Sequence, residues 1–226
     1  VKYVNAQTIA FMAVCLLFVL AWMGADWATR FQYVVMGLLV LALAAFFIGG
    51  LQRWDAGQLT ENLTAPESGL PFWALFAIFF PAVTGFTQGV NMSGDLKEPG
   101  RAIPLGTFLA VGISTAIYFL VVIVFSGALS NDELMSDYQA MKKICAIPWL
   151  IDAGVIAATL SSAMASFLGS PRILQSIARD RIFKGLDPFA KGTGITENPR
   201  RGVILCLGIA ALVISLGQLN LIARVV

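Results

Sequence analysis

Residues 81–107, PAVTGFTQGVNMSGDLKEPGRAIPLGT, break into a long apolar run with a proline, several glycines and hydroxyl and amide side chains at what should be membrane depth. In lipid an unpaired backbone group costs about several kcal/mol, so irregular chain persists there only where it lines a cavity or a binding site. Pro81 cannot donate a backbone hydrogen bond, and its ring clashes with the preceding turn, so the carbonyl near Ala77 is released. Gly85 and Gly89 lower the cost of leaving helical geometry just beyond it. A helix broken here ends its first half in carbonyls that attract a cation and opens its second half with N–H groups that attract an anion. The plainer reading is a proline kink whose polar groups are satisfied by neighbouring helices.

The rest of the 226-residue chain fits a membrane setting. It is 58% hydrophobic and 12% charged and contains no histidine. Mean hydropathy is +0.81, well above that of a soluble domain. Charge-free runs occupy Tyr3 to Ala25, Phe31 to Gln52, Ser68 to Gly94, Ala102 to Asn131, Ala153 to Pro171 and Gly202 to Ala223. Each reaches the roughly 17–25 residues that a spanning helix requires. The pattern predicts an all-α membrane protein with six transmembrane helices, at about 5–23, 31–51, 70–91, 104–129, 148–170 and 202–223, the third discontinuous. In this reading Pro104 opens the fourth helix from its first turn, where a missing N–H does no harm.

Lys and Arg gather in the first, third and fifth connections (Arg30, Lys97, Arg101, Arg172, Arg179, Arg181, Lys184, Lys191, Arg200 and Arg201), which marks that side as cytoplasmic. Both termini then fall outside. The net charge of +2 is mostly topology, and scattered charges with few interleaved aromatics argue against a nucleic-acid surface. Asp95 and Glu98 sit among Lys97 and Arg101 at the expected cytoplasmic edge, as solvated or paired charges rather than proton carriers. The chain begins at Val1 inside a spanning segment and reads as an internal piece of a larger protein. Asn62-Leu63-Thr64 is a formal glycosylation acceptor in the outer loop expected at 52–69. Cys15, Cys145 and Cys206 have no metal-ligand spacing. With no His, no nucleotide-binding glycine loop and no nucleophile beside a base, an enzyme reading has no support, and no cofactor is expected.

One polar pair stands in the fifth helix: Ser161 and Ser162, within ATLSSAMAS. Mid-helix hydroxyls usually bond back to a carbonyl one turn earlier or join helices. The alternative is a sodium site, because a hard cation takes oxygen ligands and the Ala158 carbonyl lies one turn earlier.

Several blocks together resemble the cation-chloride cotransporters of the amino acid, polyamine and organocation transporter superfamily. They are FFPAVTG at 79–85, GVNMSGDL at 89–96, AIPLGT at 102–107, LSSAMAS at 160–166, SPRILQSIARDRIF at 170–183, NPRRG at 198–202 and LNLIA at 219–223. The resemblance covers nearly the whole chain. It implies a LeuT-like inverted-repeat fold in which residues 1–226 form one partial transporter domain, the family's fourth to ninth helices. It also implies an integral, multi-pass protein of a plasma or bacterial inner membrane that carries sodium, potassium and chloride. Its partners would be the lipid bilayer, small inorganic ions and the remaining helices, with a homodimer as an open option.

By the same resemblance Pro81 and Thr84 help bind potassium, main-chain groups of Gly85, Phe86 and Thr87 bind chloride, and Ala158, Ser161 and Ser162 bind sodium. This chain carries Phe86, Thr87 and Gln88 where members of the family commonly have aliphatic and small residues. Two other readings remain: a sodium-coupled amino-acid or polyamine permease of the same superfamily, and a non-transporting membrane scaffold or regulatory subunit that keeps the fold.

Overall fold

A computed structural model of the chain describes residues 2–64, 71–83, 85, 88–91, 93–194 and 197–216. The described residues are helical throughout, apart from connections and one isolated bridge between Thr193 and Asn198. In chain order the helices are α1 (Lys2–Met23), α2 (Ala25–Gln52), α3 (Ala56–Thr64), α4 (Phe72–Phe79), α5 (Gln88–Asn91), α6 (Pro99–Ala128), α7 (Asn131–Ser136), α8 (Ala140–Ile144), α9 (Pro148–Arg179) and α10 (Arg200–Ser215). Among the described residues three helices are long and apolar enough to cross a bilayer: Trp27–Gln52 within α2, α6 and α9. Gln7–Met23 is a shorter apolar helix. The end expected for the sixth span, from Gly217 onward, lies outside the described residues.

Helix boundaries differ from the expected ones at several points. Pro99, not Pro104, takes the opening position of α6, and Pro104 stands inside the helix. The carbonyl that Pro104 leaves without a donor belongs to Gly100, in the exposed first turn, where it is readily solvated. Pro171 does not end α9, which continues to Arg179 and so takes Arg172 and Arg179 out of the expected connection. Arg30 likewise stands within α2, which begins directly after Gly24 at φ +106. The expected outer loop at 52–69 contains α3.

The chain forms two compact units, residues 1–34 with 159–226, and residues 35–158, whose boundaries fall inside α2 and α9. In the second unit the core is Ala42, Ala45, Phe46, Val124, Leu129, Ala140, Ile144, Cys145, Leu150 and Ile151. Close backbone approach makes Gly49 indispensable there, since a Cβ would lie 2.1 Å from the Ile144 carbonyl oxygen. Carbonyls at and beside the end of α6, where intrahelical donors run out, accept from side chains across the chain. Trp54 Nε1 donates to the Ile123 carbonyl at 3.1 Å, and Asn62 Nδ2 donates to those of Ser126 and Leu129 at 2.7 and 2.8 Å. Asn62 therefore serves as a cap for α6. The Asn62 amide nitrogen, the atom a glycan would occupy, is engaged in these two bonds.

In the first unit α1 packs on α10, and Leu17, Ala21, Met164, Phe167, Pro171 and Val203 are buried. Gly202 lies so close to Pro171 that a Cβ would stand 2.9 Å from the proline Cβ. The 180–199 connection is tied down by side chains: Asn198 donates to the carbonyls of Ala21 and Trp22, Gln175 donates to that of Glu197, and Arg179 pairs with Glu197. Only a short 3-10 turn, Asp187–Phe189, interrupts this connection among the described residues.

Candidate functional site

The broken segment begins as an ordinary helix and then changes. α4 runs for eight apolar residues, with the Phe80 N–H still bonded to the Phe76 carbonyl, before the chain tightens into a 3-10 turn at Phe80–Val83. Pro81 stands in that turn. Gly85 follows at φ +94, a conformation only glycine adopts cheaply, and α5 resumes at Gln88. Helical geometry is thus interrupted within the segment expected as the third span. Thr84, Phe86 and Thr87 lie outside the described residues.

An open cleft of about 260 Å³ flanks the interruption, lined on one side by Ala82, Val83 and Gly85 and on the other by Ser114, Thr115 and Tyr118 of α6. The three α6 residues fall at helical spacing on one face. Tyr118 makes the most specific contact. Its hydroxyl donates to the Ala82 carbonyl at 2.6 Å, and its ring meets Phe79 edge-on at 5.6 Å. Reading from sequence missed this face. Its signal was a hydroxyl stripe, Ser114, Thr115 and Tyr118, inside an otherwise apolar run.

Ala158, Ser161 and Ser162 all lie on α9, which is unbroken across them. The division between the two compact units falls between Ala158 and Thr159, so Ala158 is assigned to one unit and both serines to the other. Ser161 is half-buried and Ser162 exposed, and the Ser162 carbonyl accepts from Ser166 Oγ at 3.3 Å. Pro81 and Gly85 belong to one compact unit and the two serines to the other. Glu98 is exposed at the start of α6, as expected of a solvated charge.

Long apolar helices together with one interrupted apolar segment are the pattern of a membrane transport protein, and the relatives of the chain are transporters rather than enzymes. The chain belongs to the amino acid permease family, whose sequence model matches residues 2–226. It is 34% identical over 253 residues to solute carrier family 12 member 1 of Mus musculus, covering 90% of the chain and 23% of that protein. Identity to solute carrier family 12 member 2 of Danio rerio is 31%, over 98% of the chain and 24% of the relative. For solute carrier family 12 member 8 of Homo sapiens it is 32%, over 90% and 30%. These matches bear out the family resemblance read from the motifs. The chain spans less than a third of each of these relatives, and with them it is an integral, multi-pass membrane protein.

Proposed function

We propose that the protein is a secondary active transporter that couples chloride movement to sodium and/or potassium, as a partial cation-chloride cotransporter domain. The observation that carries this reading is the interruption at Phe80–Gly85, where a 3-10 turn and a positive-φ glycine line a cleft in a segment too apolar to be a surface loop. In this proposal the chain contributes six spans of a LeuT-like inverted repeat. Pro81 and Thr84 contact potassium, backbone groups of Gly85, Phe86 and Thr87 hold chloride, and Ala158, Ser161 and Ser162 hold sodium. No cofactor is needed, since the ion gradients supply the driving force. The bilayer, the transported ions, the remaining helices and a second copy of the chain are the proposed partners.

A second reading, a sodium-coupled amino-acid permease, draws on the match to the amino acid permease family. One experiment separates the two. The full natural protein is reconstituted in liposomes, and uptake of labelled chloride and of labelled amino acids is followed while sodium and potassium are varied independently. Chloride uptake that requires either cation is the expected result. Sodium-driven amino-acid uptake without chloride movement would move the assignment to the permease, and no flux of either kind would favour a scaffold.

A further inference from the structure

The NPRRG block at 198–202 enters none of the ion-ligand sets above, yet it is tied to the turn between α1 and α2. Asn198 Nδ2 donates to the Ala21 and Trp22 carbonyls, each at 3.4 Å, beside the turn at Gly24, φ +106. The Arg200 guanidinium lies over the Trp22 ring, 4.8 Å from its centroid, and Phe18 packs beside the same indole at 5.6 Å. Across the turn Arg30 lies over Trp27 at 5.5 Å. All of these residues belong to the unit formed by residues 1–34 and 159–226.

This junction lacks an anion. Among the described residues no carboxylate pairs with Arg200 or Arg30, and the Arg200 Nε is buried without an acceptor. Residues 21–30 and 198–202 together hold three arginines against one acid, Asp26, so a positive excess remains. A half-buried guanidinium without a counter-charge is costly, and one stacked by its face still offers its N–H edge to an oxyanion. Depth indicates where that oxyanion comes from. The apolar helix Gln7–Met23 ends one residue after Trp22, and the span Trp27–Gln52 opens at Trp27, so both indoles stand at the edge of apolar helices, where Trp collects in membrane proteins. Arg200 reaches the same level: two residues on, Gly202 presses against Pro171, at which the charge-free run of α9 ends. Lipid phosphates lie just beyond that edge.

We propose that the α1–α2 junction is a lipid site, at which Arg200 on Trp22 holds the phosphate of an anionic phospholipid and Arg30 on Trp27 adds to the attraction. A zwitterionic headgroup brings an ammonium that the arginines repel, so the positive excess selects a lipid of net negative charge. The gathering of Lys and Arg marks this side as cytoplasmic, where anionic lipid is abundant. The site requires a membrane-spanning chain and does not rest on the transport reading.

The test titrates the full natural protein in detergent with phosphatidylglycerol and with phosphatidylcholine of the same chains. Bound lipid is followed by native mass spectrometry, and hydrogen exchange is followed at the amides of 20–31 and 198–204. Phosphatidylglycerol should bind more tightly than phosphatidylcholine and slow exchange in both segments. Arg200→Gln should weaken phosphatidylglycerol about tenfold or more, the scale of a lost charge-assisted contact, abolish the slowing and leave phosphatidylcholine unchanged. Arg30→Gln, on an exposed face, should weaken it about fivefold. Equal affinity of the wild type for the two lipids overturns the site, and so does an equal loss of both lipids in Arg200→Gln, which makes the arginine structural. Inorganic phosphate that slows exchange in the same segments at the same concentration makes this a soluble-anion site and overturns the lipid assignment. Where Arg200→Gln does not fold, Arg30→Gln decides: unchanged phosphatidylglycerol affinity there overturns the proposal.

Discussion

Two prolines sit inside apolar segments of this chain and have opposite consequences. At Pro81 the helix gives way to a 3-10 turn and then to Gly85 at φ +94, whereas α9 runs through Pro171 and on to Arg179. Each ring removes one donor and crowds the turn before it. What differs is the surrounding structure. Pro171 is fully buried with Gly202 pressed against it, so packing holds the helix in place. α4 buries none of its residues, and a glycine beyond Pro81 makes departure cheap. The comparison shows two ways of presenting oxygen atoms: an unwound backbone offers carbonyls and N–H groups themselves, while an intact helix presents hydroxyls such as those of Ser161 and Ser162.

The largest effect should come from removing the freedom that permits the break. Gly85→Pro forces φ near −65° where the chain requires +94° and deletes an N–H, so chloride affinity should collapse even in protein that still folds. Gly85→Ala is the milder form. A Cβ there meets nothing within 4 Å, so its whole cost is conformational, about 1–2 kcal/mol. Gly112, in α6, also has open space around it but ordinary helical geometry, so Gly112→Ala should be neutral or stabilising by about 0.5–1 kcal/mol. Thermal unfolding of the three variants in detergent, with chloride affinity measured beside it, checks the ordering. If Gly85→Ala behaved like Gly112→Ala, the positive φ would carry no functional weight.

An intact-helix site should respond differently. Ser161→Ala together with Ser162→Ala deletes two side-chain oxygens while giving α9 better helix formers, so expression and unfolding temperature should hold or improve. Half-saturating sodium should rise about tenfold or more, the scale of lost contacts to a charged group, with chloride affinity in equilibrium binding little changed. Unaltered sodium dependence would return the pair to helix packing.

The contrast between the two prolines also marks how far sequence reading reaches. Composition and the length of apolar runs located α2, α6 and α9, because burial in lipid needs only hydrophobicity and span. Pro81 and Gly85 marked the interruption through backbone chemistry alone. Helix ends were less legible: Pro99 and Pro104 are both acceptable near an N-terminus, and only the carbonyl of Glu98, accepting from the N–H groups of Arg101 and Ala102, decides between them. The role of Tyr118 was not legible, because its partner is a main-chain carbonyl 36 positions away, to which no residue pattern points. Asn62 shows the same limit, since a three-residue pattern says nothing of the α6 carbonyls that claim its amide.

The smallest expected effect lies on a surface that takes part in neither way of presenting oxygen atoms, and it serves as the control for both. Ser130 and Glu133 form a reciprocal capping box at the start of α7, and Glu133 also pairs with Lys143 of α8. The Lys143 ammonium, and after it the Ser130 backbone N–H, hold the Glu133 carboxyl below its ordinary value. A carboxyl depressed by folding stabilises the folded state above the unfolded pKa of about 4.3, and that contribution is lost as pH falls through the lower folded value. Glu133→Gln keeps the capping-box geometry but removes the charge. Hydrogen exchange over 131–144 should therefore quicken in acid for the wild type and lose that part of its pH dependence in the variant. The shift should be small, because both side chains are solvent-exposed and water and salt screen the pair. Sodium and chloride dependence should be the same in the two proteins at neutral pH. If Glu133→Gln altered either one, the α7–α8 region would be coupled to ion binding, and the contrast between an unwound backbone and an intact helix would no longer account for the ion dependence by itself.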